Sequence, residues 1–210
     1  IELIKQGKSV ALVSDAGTPL ISDPGYKLVK TAIQEGFEVF SVPGPSSVIA
    51  ALTVSGLPTD MFSFLGFLPN TKSKKKKLLE TYLNLGSSLI IFESGKRLQK
   101  TLELLAETCR PFTEICICRE LTKLNEEVTK FKAQEGIKVT KKMRSLKGEF
   151  VIVVGKNEAR DFDLKNLDEQ LRKIKKSMSM KDSVDFLAEK LKIPKKIIYK
   201  KALTIFKDNN

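Results

Sequence analysis

The chain of 210 residues carries 37 lysines and arginines against 25 acidic residues, a formal net charge of +12 and a pI of about 9.5. It contains no histidine, which excludes a Ser-His-Asp triad, a Cys-His pair and a histidine-bound metal. With three cysteines and no apolar run long enough to span a bilayer, we expect a cytoplasmic protein without metal, disulfide framework or membrane.

The excess of basic residues predicts a polyanionic partner, foremost nucleic acid, although lysines that merely solvate the surface are the alternative. The charge is unevenly distributed along the chain. Lysines concentrate at 72–77, just before a predicted helix, and again after residue 165, in the segment predicted to be helical. This unevenness favours a binding surface over a general surface charge.

The first part of the chain alternates between helical and strand-like patterns. We predict helices at 1–6, 25–35 and 46–55 and buried strands at 9–14 and 38–42. Helices that alternate with short apolar strands are typical of a parallel, doubly wound sheet.

The middle of the chain continues with strands and helices. Apolar alternation and runs predict strands at 62–67, 88–92, 114–119 and 150–154 and helices at 78–85 and 98–108. The segment 123–144 is ambiguous, and we interpret it as a helix followed by a strand or loop.

The lysine-rich tail has helical spacing throughout. Three helices are predicted, with a tight turn at Ile193-Pro194 between the second and third. Two helices joined by a short turn resemble a helix-turn-helix, and a plain helical bundle is the open alternative.

The segment from Val13 to Gly25, VSDAGTPLISDPG, is the strongest functional signal. It follows a predicted strand, precedes a helix, and contains two glycines, two prolines and two aspartates. Ligands bind at the carboxyl ends of strands in open α/β sheets, and a connection this long is more often functional than an ordinary turn.

Several motifs resemble the tetrapyrrole-methylase superfamily, and most of all its ribosomal RNA branch, the small subunit methyltransferase I group. In chain order they are DAGTPLISDPG, VPGPSSVIAAL, GLP, GFLP, FES..R, RELTK and KGEFVIVV. The resemblance covers about residues 1–157. It implies two α/β domains of the tetrapyrrole-methylase type, the first N-terminally incomplete, and a small C-terminal helix-turn-helix-like domain. The implied division is 1–58, carrying methyl-donor loops, 59–158, and 164–210 as a basic RNA-binding unit.

The resemblance implies S-adenosylmethionine as cofactor and three sets of site residues. Residues expected to bind the cofactor are Ala16, Gly17, Thr18, Pro19, Ile21, Ser46, Ser47, Val48, Phe92, Leu121, Thr122 and Gly148. Candidate acid–base or cationic groups for activating a ribose hydroxyl are Asp15, Asp23, Glu93, Lys123 and Glu149. Expected RNA contacts are Lys74, Lys75, Lys76, Arg97, Arg119, Lys195, Lys196, Tyr199 and Lys200.

The expected activity is 2′-O-methylation of a cytidine in 16S ribosomal RNA within the small ribosomal subunit, by a homodimer. A precorrin-type C-methyltransferase and a catalytically incomplete ribosome-binding fragment are the alternatives. The chain departs from the family pattern at Lys96, where a histidine is common, and at Leu65, where an acid is frequent. Glu93 and Arg97 also have the spacing of a simple ion pair within a helix.

Overall fold

The computed structural model describes residues 1–157, 161–175, 177–191 and 193–207. The predicted domain limits at 158 and 210 lie outside these residues, and the division into three domains stays a prediction. Within the described residues, three apolar clusters form: one on each face of a central sheet and one inside the C-terminal helices.

The first 58 residues contain helices but no strand, although every one of them is described. The helices are α1 (Glu2–Lys5), α2 (Tyr26–Gln34) and α3 (Ser47–Ser55). The predicted strands at 9–14 and 38–42 are therefore wrong for this structure. A strand exists only through hydrogen bonds to a neighbour, and no other segment pairs with either of these two.

Five strands form a single mixed sheet in the order β1-β2-β5-β3-β4. Their bounds are β1 Phe62–Phe67, β2 Ser88–Ser94, β3 Glu114–Arg119, β4 Glu127–Lys132 and β5 Glu149–Val154. Only β1 and β2 are parallel, while the other three pairs are antiparallel. The sheet is thus mixed. The parallel, doubly wound sheet expected for the first part of the chain does not form, because residues 1–58 contain no strand.

In the segment 123–144 the strand β4 comes before the helix, so the prediction for this segment had the order reversed. β4 pairs with β3 along its whole length and is followed by a 3-10 turn (Ala133–Glu135) and α6 (Gly136–Thr140). β4 lies at the edge of the sheet, where polar side chains such as Lys130 remain exposed. Its apolar pattern is for that reason weak.

Helices cover both faces of the sheet. α4 (Lys72–Leu83) and α5 (Gly95–Thr108) pack on one face over a core that includes Leu79, Leu98, Leu105, Ile91 and Ile117. α3 packs on the opposite face, where Ala51 and Leu52 meet residues of β2, β3 and β5. Alternate residues of each strand point to opposite faces, and this alternation supplies both cores.

The C-terminal unit consists of α7 (Asp161–Ile174), α8 (Met180–Leu191) and α9 (Lys195–Lys207). Their apolar faces meet at Leu171, Leu187 and Ile198, and Phe112 of the connection between α5 and β3 packs against the same cluster. The three predicted helices are confirmed. In the part of the chain that is described, no helix combines the length and the apolar character of a transmembrane segment.

Candidate functional site

The sheet register brings the last residues of β2 and β3 and the first residue of β5 together at one end of the sheet. We call this end of the sheet, formed by strand termini, the site edge. Ser94, the last residue of β2, lies opposite Glu149, the first residue of β5, and Arg119, the last residue of β3, lies opposite Phe150. The FES, RELTK and KGEF motifs are far apart in the sequence and adjacent in space. This edge is the candidate site.

An apolar wall connects this edge to the first part of the chain. Val48 in the first turn of α3 belongs to a cluster against which Phe64, Phe92 and Leu121 pack. The rings of Phe64 and Phe92 meet edge to face with centroids 4.8 Å apart. Three predicted cofactor-binding residues, Val48, Phe92 and Leu121, are therefore neighbours of one cluster.

The two loops of the first part of the chain are joined by Thr18. Its hydroxyl donates a hydrogen bond to the carbonyl oxygen of Pro45, at 3.0 Å. Leu20 and Ser22 have φ angles of 73° and 62°, in the left-handed region that side chains other than glycine rarely adopt. Strained backbone of this kind clusters at ligand-binding sites.

The same loop lies beside the end of β1. A Cβ atom on Gly66 would come within 3.3 Å of the Ser22 hydroxyl oxygen. The remaining predicted residues of this loop, Ala16, Gly17, Pro19 and Ile21, surround Thr18 in sequence. The structure thus brings the DAGTPLISDPG loop close to β1 of the sheet.

The first turn of α3 keeps its backbone donors available. Ser46 occupies the N-cap position, but no side chain caps the helix by a hydrogen bond. α3 has nine residues, and the N–H groups of its first turn have no partner within the helix. Such N–H groups attract anionic or polar groups. Ser46 and Ser47 accordingly present donors next to Val48.

Asp15 and Asp23 are exposed, and within the described residues neither carboxylate makes a hydrogen bond or an ion pair. They flank the Thr18 loop on both sides. Their predicted catalytic role stays a prediction.

Glu93 is enclosed in a buried network and is 2% exposed. Its carboxylate accepts hydrogen bonds from the Ser94 backbone N–H (2.9 Å) and the Thr101 hydroxyl (2.7 Å), and lies 3.1 Å from Arg97 Nε. Lys75 Nζ lies 3.8 Å from the same carboxylate. These partners leave Glu93 no free oxygen for abstracting a substrate proton.

Lys75 belongs to this network rather than to the surface. Its ammonium donates to the Thr101 hydroxyl at 3.1 Å, and burial lowers its pKa while Glu93 opposes that change. Arg97 donates to Asn70 Oδ1 at 3.1 Å and to the Leu68 carbonyl oxygen. Lys75 is closed off from a phosphate, and Arg97 is largely committed to protein acceptors.

Thr101 was missed by the sequence analysis, although a signal for it exists. It lies on α5 three residues from Leu98 and one turn from Leu105, on the apolar face that covers the sheet. A hydroxyl at such a position needs polar partners, and Glu93 and Lys75 are those partners.

Lys123 lies between two carboxylates at the edge of the site. Its Nζ donates to Glu149 Oε2 (2.9 Å) and to Glu120 Oε1 (3.1 Å), and these bonds raise its pKa. The pKa of Glu120 is lowered first by the hydrogen bond from the Glu149 backbone N–H and second by the hydrogen bond from Lys123. Both carboxylates therefore favour the charged form of Lys123, and its predicted role in catalysis stays a prediction.

Two more predicted residues lie next to this triad. Gly148 has a φ of 109°, and a Cβ there would lie 2.7 Å from Glu120 Oε1. Thr122 has a φ of 65°, and its backbone N–H donates to Glu126 at 2.6 Å. The backbone conformations of both residues shape the loops, and their predicted role in binding the cofactor stays a prediction.

The predicted RNA-binding residues divide into free and committed side chains. Lys74 on α4 is exposed, as are Lys196, Tyr199 and Lys200, which share one face of α9. Lys76 on α4 is also exposed, and its ammonium lies 3.8 Å from Glu80 Oε1. Lys195 pairs with Asp185 at 2.8 Å. Arg119 is buried, and its guanidinium donates to backbone carbonyls of the protein.

Among the residues that the structure describes, no three His, Cys, Asp or Glu side chains are grouped so that they could hold a metal ion. Cys109, Cys116 and Cys118 are buried and form no disulfide. The candidate site is built from backbone donors, an apolar wall and charged pairs.

Comparison with known proteins places the chain in a family. Residues 1–136 match the family described as Tetrapyrrole (Corrin/Porphyrin) Methylases. The protein called Ribosomal RNA small subunit methyltransferase I from Rickettsia prowazekii is 44% identical over 202 residues, which cover 95% of this chain and 71% of the relative. The protein of the same name from Mesorhizobium japonicum is 38% identical and covers 98% of this chain and 70% of its own length.

Solved structures agree on the fold. The methyltransferase CobJ superposes with a TM-score of 0.57 at 22% identity, covering 76% of this chain and 69% of its own. Diphthine synthase superposes with a TM-score of 0.53 at 12% identity, covering 73% and 62%. At these identities the likeness concerns the fold alone. Sequence and fold together assign the chain to the tetrapyrrole methylase family and, within it, to the ribosomal RNA small subunit methyltransferase I group.

Proposed function

We propose that this chain transfers a methyl group from S-adenosylmethionine to the 2′-hydroxyl of a cytidine ribose in 16S ribosomal RNA, within the small ribosomal subunit. The family makes it a methyltransferase, and the close relatives carry the ribosomal RNA name. The precorrin-type alternative is favoured less, because the family description covers corrin methylases only in general and the solved structures share the fold at 22% identity or less.

The observation that carries the donor site is the meeting of three features at one edge. They are the uncapped first turn of α3, the apolar wall of Val48, Phe92 and Leu121, and the loop joined through Thr18 to Pro45. Free N–H groups suit the donor's polar end, and an apolar wall suits its adenosine. The residues present therefore fit S-adenosylmethionine.

The chemistry of the reaction asks little of acid–base groups. S-adenosylmethionine supplies a methyl group already activated by its sulfonium. The protein must hold the ribose hydroxyl in line with that group and exclude water. The Lys123–Glu149 pair lies at the rim of the same edge. We therefore assign contact with the ribose 2′-hydroxyl to this pair rather than to Glu93, which is enclosed.

The RNA surface is assigned to exposed basic side chains. Lys196, Tyr199 and Lys200 lie on one face of α9, with Lys74 and Lys76 on α4 as a second group. Lysines neutralise phosphates and an exposed tyrosine stacks on an unpaired base. Such contacts give affinity, and the shape of the assembled subunit supplies the choice of nucleotide.

We further assign the protein to the cytoplasm, where its proposed substrate lies, and to a homodimer, as the family implies. Val13, Phe40 and Val42 are 80–90% exposed, as side chains buried between subunits are in a lone protomer. Sedimentation at micromolar concentration tests the dimer, and a monomer at all concentrations rejects it.

Calorimetric titration of S-adenosylmethionine tests the donor site. Leu121→Ala removes part of the wall and should weaken donor binding about tenfold, equivalent to roughly 1.4 kcal/mol. Leu124→Ala is the matched control, because Leu124 lies in the same loop and is 100% exposed. Equal losses in both variants, or no binding by the unmodified chain, reject the proposed site.

Methylation of small ribosomal subunits with labelled donor tests the activity. RNA affinity without donor affinity would support the ribosome-binding fragment instead. The double substitution Lys196→Ala with Lys200→Ala should weaken RNA binding and lower its salt slope by about 1–2. Lys173→Ala on α7 is the control, since its ammonium is paired with Glu169.

A further inference from the structure

Arg119 begins the RELTK motif, and its side chain points into the protein. The residue is 8% exposed. Its Nε donates to the Lys147 carbonyl oxygen at 2.8 Å, and its Nη1 donates to the Asn125 carbonyl oxygen at 3.2 Å. Nη1 also lies 3.9 Å from Glu127 Oε2. One guanidinium thus bonds two separate pieces of backbone.

These two pieces are the loops at the candidate site, residues 120–126 (site loop A) and 145–148 (site loop B). Site loop A carries Leu121 of the apolar wall and Lys123, and site loop B leads into Glu149. Arg119 donates to Asn125 near the end of site loop A and to Lys147 in site loop B. Its buried guanidinium therefore links the two loops from the protein interior.

Site loop A has a backbone that needs such support. Glu120 and Thr122, on either side of Leu121, have left-handed φ angles of 51° and 65°. Side chains other than glycine adopt this conformation only when surrounding contacts enforce it. The result of the enforced conformation is that Leu121 packs against the cluster of Val48.

Site loop B is fitted closely between α5 and site loop A. A Cβ on Gly95 would lie 1.6 Å from the Leu146 carbonyl oxygen, and one on Gly148 would lie 2.7 Å from Glu120 Oε1. The Glu149 backbone N–H donates to Glu120 Oε1 at 2.9 Å. A shift of site loop B would therefore move site loop A with it.

We propose that Arg119 is a positioning residue that sets the affinity for the methyl donor by holding both site loops, and that it does not contact RNA. The proposal rests on the proposed function for the identity of the donor. Only arginine suits the position, because its planar fork donates in two directions at once. A lysine has one nitrogen and cannot reach both carbonyls in this geometry.

Steady-state kinetics separate this role from RNA binding and from a general loss of structure. Arg119→Met should raise KM for S-adenosylmethionine about tenfold or more and leave KM for the small subunit within about twofold. Arg119→Lys should retain most of the defect. Arg144→Met is the matched control, since Arg144 is exposed beside site loop B, and it should leave both constants unchanged. A raised KM for the subunit with an unchanged KM for the donor overturns the proposal.

Hydrogen exchange of the free protein tests the same proposal without activity. In Arg119→Met the amides of Thr122, Lys123 and Glu149 should exchange faster, while Ile117 and Ile152 in the sheet keep their protection. If Arg119→Met does not fold, Arg119→Lys, which keeps a charge near Glu127, decides by the same exchange. Unchanged loop exchange in a folded variant overturns the proposal. A chain that binds no donor yet shows faster loop exchange rejects the proposed function and leaves the role of Arg119 in the loops intact.

Discussion

Residues 1–58 and residues 61–155 have similar apolar patterns and different structures. The second region forms five paired strands, and the three central ones, β2, β5 and β3, bury nearly all of their apolar side chains. In the first region the strand-like segments are unpaired, and Val13, Phe40 and Val42 are 82%, 80% and 89% exposed. The difference teaches that an apolar strand pattern specifies a strand only where a neighbouring strand is available to pair with it.

The helix α3 is stabilised by packing against the second region, although it lies in the first. Val48, Ala51 and Leu52 are buried against strands of the sheet, whereas Ala32 is the one buried residue of α2. The part of the chain that is stabilised by the sheet therefore begins at Ser47. The donor loops before it are held by a few contacts such as the bond from Thr18 to Pro45.

The largest expected effect comes from opening the core of the second region. Ile91→Ala removes a completely buried side chain from β2 and should lower the free energy of unfolding by about 4 kcal/mol. Val42→Ala in the first region should change it by less than about 0.5 kcal/mol. Urea denaturation followed by circular dichroism measures both values. Similar losses would mean that the first region is buried in solution and would break the comparison.

A smaller loss is expected from a methyl group at a close approach of two backbones. Gly95→Ala would bring a Cβ to 1.6 Å from the Leu146 carbonyl oxygen, and site loop B would have to move. We expect a loss of about 3 kcal/mol, at the upper end of the usual cost of overpacking. Gly44→Ala is the matched control in the first region, where a Cβ meets nothing within 4 Å. The comparison would fail if thermal unfolding midpoints of the two variants agreed.

The strands of the second region were predictable because their apolar runs coincide with real pairing. The strand at 114–119 was predicted with its observed bounds. β4 was not found, since EVTKFK holds only two apolar residues and an edge strand needs no more. The first-region strands were predicted for the same reason as the others, and a single sequence does not reveal which segments lack a neighbour.

The candidate site was predictable in its location and less so in its side chains. Motif order brought Val48, Phe92 and Leu121 to one cluster, while the inward direction of Arg119 depends on contacts that spacing does not encode. Lys75 is different, because a signal was present. It lies four and eight residues before Leu79 and Leu83, on the buried face of α4.

A third prediction concerns the buried network of the second region. Thr101→Val keeps the shape of the side chain and removes the hydroxyl that serves both Glu93 and Lys75. Two buried charged groups each lose a partner, so the free energy of unfolding should fall by about 2 kcal/mol. Thr81→Val on the exposed side of α4 should cost far less. Equal unfolding free energies would show that the network rearranges around the lost hydroxyl.

The smallest effect concerns the charged contacts that distinguish the site loops from the loops of the first region. The pKa of Glu120 lies below its ordinary value of 4.5, because the Glu149 backbone N–H and then Lys123 favour its ionised form. The sign is that of a lowered carboxyl pKa: its contribution to stability is complete at neutral pH and is lost as pH falls through the lowered value. Titration of the Glu120 carboxyl carbon by NMR should give a midpoint below 4.5. Lys123→Met should raise that midpoint only partly, because the first cause is the backbone N–H. If the Glu120 midpoint in Lys123→Met returned fully to 4.5, Lys123 alone would account for the lowered pKa. The hydrogen bond from the Glu149 backbone N–H to Glu120 would then not contribute to it.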